Sequence, residues 1–273
     1  MSEAPVPELI VPDWPAPGCV RAVATTRGGG YSQGPYAGLN LATHVGDDPA
    51  AVQANRQLLC RHLGLDAEPV WLEQVHGRRV LQLPPEPLRP ADASVCRQPG
   101  LACVVMSADC LPVLFCDRAG TVVAAAHAGW RGLAAGVLEA TVQAMAVPPA
   151  QLMAWLGPAI GPQAFEVGEP VRTAFLAAQS AAAGAFVPAG TPGQWYADLY
   201  ALARLRLQGA GLRQIHGGGY CTLADPTRFY SYRREPRCGR MATLVWRVQG
   251  SADTKCRRAI GAADCLAPVK AVC

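Results

Sequence analysis

Three side chains stand out for the chemistry they could do together: His76 in VWLEQVHG, Cys110 in MSADCLP and His127 in TVVAAAHAGWRG. Each lies at the end of an apolar, strand-like run, and a glycine, an Ala-Gly pair or a proline follows within two residues. Such a side chain projects beside open backbone, and strand ends in α/β folds are where sites are built. Two imidazoles and a thiolate form a ligand set for zinc that leaves a fourth position open. The same donors can hold copper. Spacings of 34 and 17 residues match no short metal motif. The other reading, two hydrogen-bonded histidines beside a buried thiol, stays open on residue types alone.

The remaining histidines carry less. His62 sits near the end of a helical run, where a cation suits the dipole, and His216 precedes three glycines at a surface strand. His44, in LNLATHVGDD, lies among turn residues and could serve either structure or site. Among the arginines, Arg56 shares an inward helical stripe with Val52, Leu59 and Leu63, so it needs an anionic partner or must reach out to solvent. A structural ion pair is one reading, and an anion site shared with Arg27, just before the glycine run 28–30, is the other. Arg131, Arg233 and Arg234 are further anion candidates. The glycine run has neither the lysine of a P-loop nor dinucleotide-binding spacing.

These residues need a scaffold, and strand-like and helical runs are mixed along the whole chain. CVRAVATT, PVWLEQVHG, VLQL, LACVVMSA, LPVLFCD, TVVAAAH, LMAWLG and MATLVWRV read as strands, with a hairpin among the central runs. A helix is expected from Asp48 as N-cap through Pro49 to a stop at Gly64. A second is expected over GLAAGVLEATVQAMA, with Leu133, Val137, Ala140 and Ala144 on one face. Further helices should open at Glu169-Pro170 and run from an Asp198 cap to Gly209. The expectation is a single α/β domain with mixed sheets, divided as an extension over 1–18, a catalytic body over 19–248 and a loosely ordered tail over 249–273.

Composition bounds the partners. Of 273 residues, 51% are hydrophobic and 16% charged, which excludes wholesale disorder. The net charge is +4, but residues 251–273 hold four Lys/Arg against two Asp/Glu, leaving about +2 for the body. That argues against a nucleic-acid surface. No apolar run reaches membrane-spanning length, and no secretory signal is visible. Eleven cysteines occur without any CxxC, so free thiols in a reducing cytoplasm are expected.

Six long motifs resemble, in order, the laccase-domain family, also called the peptidoglycan editing factor family and now read as purine nucleoside phosphorylases. They are TTRGGGYSQGPYAGLNLATHVGDDPAAVQANR, VWLEQVHG, MSADCLPVLFCD, VVAAAHAGWRGLAAGVLEAT, AWLGPAIGPQAFEVG, and RFYSYRRE followed by CGRMATLVW. The resemblance spans about Cys19 to Trp246 and leaves out the tail with its three cysteines. It implies a four-layer α/β/β/α fold, shared with a bacterial toxin that works as a cysteine hydrolase. It also implies a zinc site at His76, Cys110 and His127, and a phosphate-contacting arginine at Arg56. The implied activities are phosphorolysis of adenosine, inosine and methylthioadenosine, and deamination of adenosine. A link to peptidoglycan precursor quality control is implied for some bacterial members. Five histidines with no His-x-His cannot assemble the several coppers of a laccase, although copper could substitute at the one site.

The working expectation is a zinc-dependent enzyme, monomeric or a small homo-oligomer, acting on purine nucleosides and phosphate. Asp109, or Glu73, would move protons, and zinc would activate water for attack at C6 in deamination. Arg56, Arg27 and Arg131 would hold phosphate, while Trp130, Phe229 or Tyr232 would stack on the base or pack the core. Two rivals stand beside it. One is a metal-free cysteine hydrolase or amidase with Cys110 as nucleophile and His127 as base. The other is a ligand-binding protein without turnover.

Overall fold

The computed structural model describes residues 5–84 and 90–248. The tail expected over 249–273 lies outside the described residues.

Three sheets form the body. The largest runs β12 (Gln214–Gly217), β8 (Leu152–Leu156), β6 (Leu111–Asp117), β7 (Val123–Ala128), β4 (Ala93–Cys96), β3 (Val80–Leu83). Its outer pairs, β12 with β8 and β3 with β4, are parallel, and its inner pairs are antiparallel. A four-stranded antiparallel sheet runs β1 (Leu9–Ile10), β2 (Val20–Thr25), β13 (Met241–Arg247), β5 (Cys103–Ser107). A small third sheet joins β10 (Phe186–Pro188), β11 (Gln194–Ala197) and β9 (Glu166–Gly168).

The central strands read as unbroken apolar runs because both faces are covered, and every residue of β5, β6, β7 and β8 is buried. One core lies between the two large sheets, joining Val105, Cys116, Val123 and Met153. On the far side of the four-stranded sheet, Leu58 and Leu59 of helix α1 (Pro49–Leu63) pack on Val104 and Leu244. On the far side of the six-stranded sheet lie α2 (Trp130–Ala135), α3 (Val137–Ala144), α4 (Glu169–Ala178) and α5 (Leu199–Gly209), packed through Leu133, Leu138, Phe175 and Leu202.

Helix α1 follows its capping signals. The Asp48 side chain accepts from the Ala50 N–H, Pro49 takes the first position, and Gly64 ends the helix at φ +61°. The Asp198 cap of α5 likewise accepts from the Ala201 N–H.

Two expectations fail locally. The single helix expected over 132–146 is two, because Gly136 turns left-handed at φ +93° and closes α2 with bonds to Gly132 and Leu133. The buried face then runs through Leu133, Val137, Leu138, Thr141 and Val142, while Ala140 and Ala144 are only half-buried. The segment Pro69–Gly77 forms no strand beyond one bridge, Val70 to Cys103. Side chains take over its backbone groups instead, as described below. The residues before Cys19, expected as an extension, lie against the body. β1 pairs with β2, and Asp13 accepts from the Trp155 indole at 3.2 Å.

No helix among the described residues is long and apolar enough to cross a membrane. The eight described cysteines are free thiols.

Candidate metal centre

The β6–β7 hairpin places two of the three candidate ligands. Its register pairs Leu111 with Ala128 and Pro112 with His127, and continuing it sets Cys110 across from Gly129. Residues two apart share a face, so Cys110 and His127 are diagonal neighbours on one side of the hairpin. Asp109 turns the chain into β6 from the left-handed region, at φ +87°.

His76 arrives on the irregular segment. The Gln74 amide donates to the Met106 carbonyl (2.8 Å) and accepts from the Met106 N–H (2.7 Å), fastening the segment to β5 as a strand would. His76 itself has φ +58°, and the N–H groups of Val75, His76 and Gly77 converge on one carboxylate, Asp92, at 3.2, 2.9 and 2.6 Å. Successive N–H groups in such a turn make an anion-holding concavity.

Asp92 also accepts from His127 Nδ1 at 2.8 Å. It is fully buried and sits directly across from His127 at the start of β4, where its carbonyl takes the His127 N–H. One carboxylate therefore positions both histidines. Burial alone would raise its pKa, but the bonds from His127 and the turn outweigh this and hold it below the ordinary carboxylate range.

The three donor atoms lie within 4.8 Å of one another, with Cys110 Sγ 3.8 Å from His76 Nε2. Tetrahedral zinc with ordinary bond lengths sets sulfur and nitrogen about 3.6 Å apart. Asp92 engages Nδ1 of His127, which leaves Nε2 as the free donor; metal-ligating histidines are held by carboxylates in this way. Donor chemistry and spacing thus fit a single ion. Burial pushes the Cys110 thiol up, but the facing His127 and His76 prevail and hold it below the usual thiol range. Burial disfavours the His127 cation, yet Cys110 and Asp92 together raise its pKa.

Gly129 completes the centre by what it lacks. A Cβ there would stand 2.9 Å from His76 Cδ2 and 3.0 Å from Cys110 Sγ, although the backbone conformation suits any residue. Gly129→Ala is expected to reduce bound metal more than about tenfold, by the measure set by lost outer partners, while the melting temperature stays within a few degrees. Full metal content in that variant, measured by elemental analysis, would show that the two ligands can yield.

The centre opens onto a cavity of about 430 Å³. Of the residues singled out in the sequence, His44, His76, Asp109, Cys110, His127, Trp130, Arg131, Tyr232 and Arg233 lie on its wall. Asp109 is not free there. Its carboxylate accepts from Thr222 Oγ1 (2.6 Å), Ser231 Oγ (3.0 Å) and the Arg233 N–H (2.7 Å), stitching the 220–235 loop to the centre. Glu73 is exposed and off the wall.

Neither Arg27 nor Arg56 lines the cavity. Arg27 stacks on Tyr230 and donates to the carbonyls of Pro226 and Ala37. Arg56 stacks 4.1 Å over Trp71, donates to the Leu41 carbonyl and stands 3.9 Å from Glu68. The inward stripe was legible, and for Arg56 an aromatic face, a carbonyl and the Glu68 carboxylate meet the charge, which is the structural ion-pair reading. Arg234 caps the carbonyls of Thr222, Leu223 and Phe229, and Phe229 is core.

Sequence reasoning missed Asp92, Gln74, Phe165 and Arg240. The one signal was Asp92 itself, a lone carboxylate leading an otherwise uncharged ASVC run.

A His–Cys–His group at the edge of a hairpin, beside an arginine-bearing cavity, defines an α/β protein with one candidate metal centre among the described residues. The chain belongs to the family described as multi-copper polyphenol oxidoreductase laccase, whose model matches residues 21–248. It is 59% identical over 237 residues to a purine nucleoside phosphorylase of Pseudomonas aeruginosa, covering 87% of this chain and 97% of that one. It is 54% identical over 243 residues to a purine nucleoside phosphorylase of Escherichia coli, covering 88% and 99%. A crystal structure of a Neisseria meningitidis protein superposes with a TM-score of 0.84 at 51% identity, covering 88% of this chain and 99% of that one. The several coppers in the family description have no counterpart among the described residues, which hold one such donor group.

Proposed function

We propose that this protein is a cytoplasmic, zinc-dependent purine nucleoside phosphorylase built on a four-layer α/β/β/α body. Adenosine, inosine and methylthioadenosine are its substrates, and it also deaminates adenosine. The observation that carries this reading is the His76–Cys110–His127 group, aligned by Asp92 and opening directly onto a cavity large enough for a small ligand. Its relatives named purine nucleoside phosphorylase support it.

In phosphorolysis a phosphate oxygen bonds to C1′ as the C1′–N9 bond breaks, and the purine leaves with a proton. His76, Cys110 and His127 would hold the ion, which when bound supplies Lewis acidity and, for deamination, an acidified water. Asp92 keeps the His127 proton on Nδ1. Trp130, Phe165 and Tyr232 offer flat apolar faces to the base, and Arg131 contributes positive charge for the phosphate. Asp109 acts by fixing the loop that carries Tyr232 and Arg233, since its oxygens are already taken.

The test is to incubate metal-loaded protein with each nucleoside, with and without phosphate, and to separate the products. Adenine and ribose 1-phosphate formed only with phosphate are expected, and inosine from adenosine reports deamination. Recovery of every nucleoside intact would sink the reading.

One observation favours a second reading. Asp92, His127 and Cys110 stand in the order of orienting acid, base and nucleophile, as a metal-free cysteine amidase acting on peptidoglycan precursors would need. Chelation separates the two, since it stops a metal enzyme and spares a thiol one.

A further inference from the structure

The last stretch of chain before His76 is held by hydrogen bonds rather than by packing. Leu72 is buried in the core between the two large sheets, whereas Glu73, Val75 and His76 are exposed. Apolar anchoring therefore ends four residues short of the ligand. Toward the six-stranded sheet, the Glu73 carbonyl takes the Ala91 N–H and Asp92 gathers the turn. Toward the four-stranded sheet, the tie is the Gln74 amide on Met106, at 2.8 and 2.7 Å.

That tie serves two ligands at once. Met106 lies on β5, an edge strand whose other side is taken by β13, and β5 leads into Cys110 four residues later. Gln74 is two residues from His76. One amide thus couples the segments that carry both donors. A side chain is needed there because the backbones fall out of step. Counted from the bridge between Val70 and Cys103, the run to Gln74 is one residue longer than the run to Met106. A primary amide carries donor and acceptor like a peptide group, so it completes the ladder that the backbone misses.

Gln74 also lines the cavity, where a glutamine amide would suit the edge of an adenine. Its oxygen and nitrogen are both bound to Met106, however, which turns the polar atoms onto the strand.

We propose that Gln74 is a positioning residue for the metal centre: it sets His76 against Cys110, and it does not read the ligand. The proposal rests on the metal-bound reading of the centre and not on which nucleoside reacts. Without the tie, His76 keeps the Asp92 bond on its N–H but loses its reference to the strand that leads into Cys110. The two donors would then meet an ion at the right spacing only part of the time.

The experiment is a zinc titration in competition with a chromophoric chelator, read beside a thermal melt of each protein. Gln74→Met has nearly the same length without the two bonds. It is expected to bind zinc about tenfold more weakly, the lower end of the loss seen for outer partners of a ligand. The control is Asp117→Asn at the other end of β6, about 20 Å from Cys110. Its carboxylate accepts from Thr121 and Val122, so the variant should melt lower. It should still hold zinc within about twofold, as independent sites do. With zinc saturating, the KM of Gln74→Met for adenosine should also stay within about twofold, because no ligand contact is lost. The zinc arm stands whether or not nucleosides react. If Gln74→Met fails to fold, Gln74→Asn carries the test. Its shorter amide cannot meet both Met106 groups, and a several-fold loss of zinc affinity is expected.

Wild-type zinc affinity in the Gln74 variants would overturn the proposal, as would a loss that follows melting temperature in Asp117→Asn and Gln74→Met alike. A raised KM with zinc affinity intact would overturn it in favour of an amide that reads the ligand. A wild type that takes up no zinc would remove the metal-centre reading itself, and the proposal with it.

Discussion

Cys110→Ala is expected to lose its metal and all measurable phosphorolysis while keeping its fold. Loss of an outer partner of a metal ligand already costs about 10–100-fold in affinity, and Cys110 supplies one of only three protein donors. The loss should therefore exceed about 100-fold. Stability should change little, because Cys110 lines the cavity and its removal empties no enclosed core. Elemental analysis and a thermal melt on the same preparation decide the matter. Metal retained in Cys110→Ala would show that the ion sits elsewhere. An activity loss without a metal loss would favour the thiol as nucleophile.

Asp92→Asn is the second large effect, and it should strike both stability and metal binding. The carboxylate accepts from His127 Nδ1 and from three consecutive N–H groups. An asparagine of the same size replaces one accepting oxygen with an NH₂ group that faces donors. Leaving a buried donor unsatisfied costs about 1–3 kcal/mol, and in a domain of this size each kcal/mol moves the melting temperature by about 2–4 °C. A fall of several degrees is expected, together with about 10–100-fold weaker metal binding. If the introduced amide restored both by reorienting, the variant would behave as wild type, and the claim that the charge organises the turn would fail.

The sequence carried the fold better than the contacts of its site. Long apolar runs marked β5 to β8 because two covers leave such strands no polar face, and caps such as Asp48 and Gly64 are local signals that need no tertiary partner. Gly136 was readable as a helix interior only while its left-handed conformation was unknown. Pro69–Gly77 misled for a different reason. Its alternation is strand-like, but Gln74 and Asp92, 18 residues apart in sequence, supply the bonds that a neighbouring strand would give. The three donor types were visible as chemistry. The residue that aligns two of them was not, because nothing local says that Asp92 will face His127 across a ladder. The arginines show the same limit. An inward stripe placed Arg56 against the protein, and only the folded chain reveals that a tryptophan face, a carbonyl and Glu68 are its partners.

The sharing of Asp92 also bears on how such a centre could be transplanted. Copying His76, Cys110 and His127 onto another scaffold would move the donors and leave behind the part that makes them a set. The smallest portable unit is a two-stranded ribbon with glycine opposite the thiol, a neighbouring strand directly preceded by aspartate, and a three-residue turn folded around that acid. A graft lacking the aspartate would present two imidazoles with no common orientation.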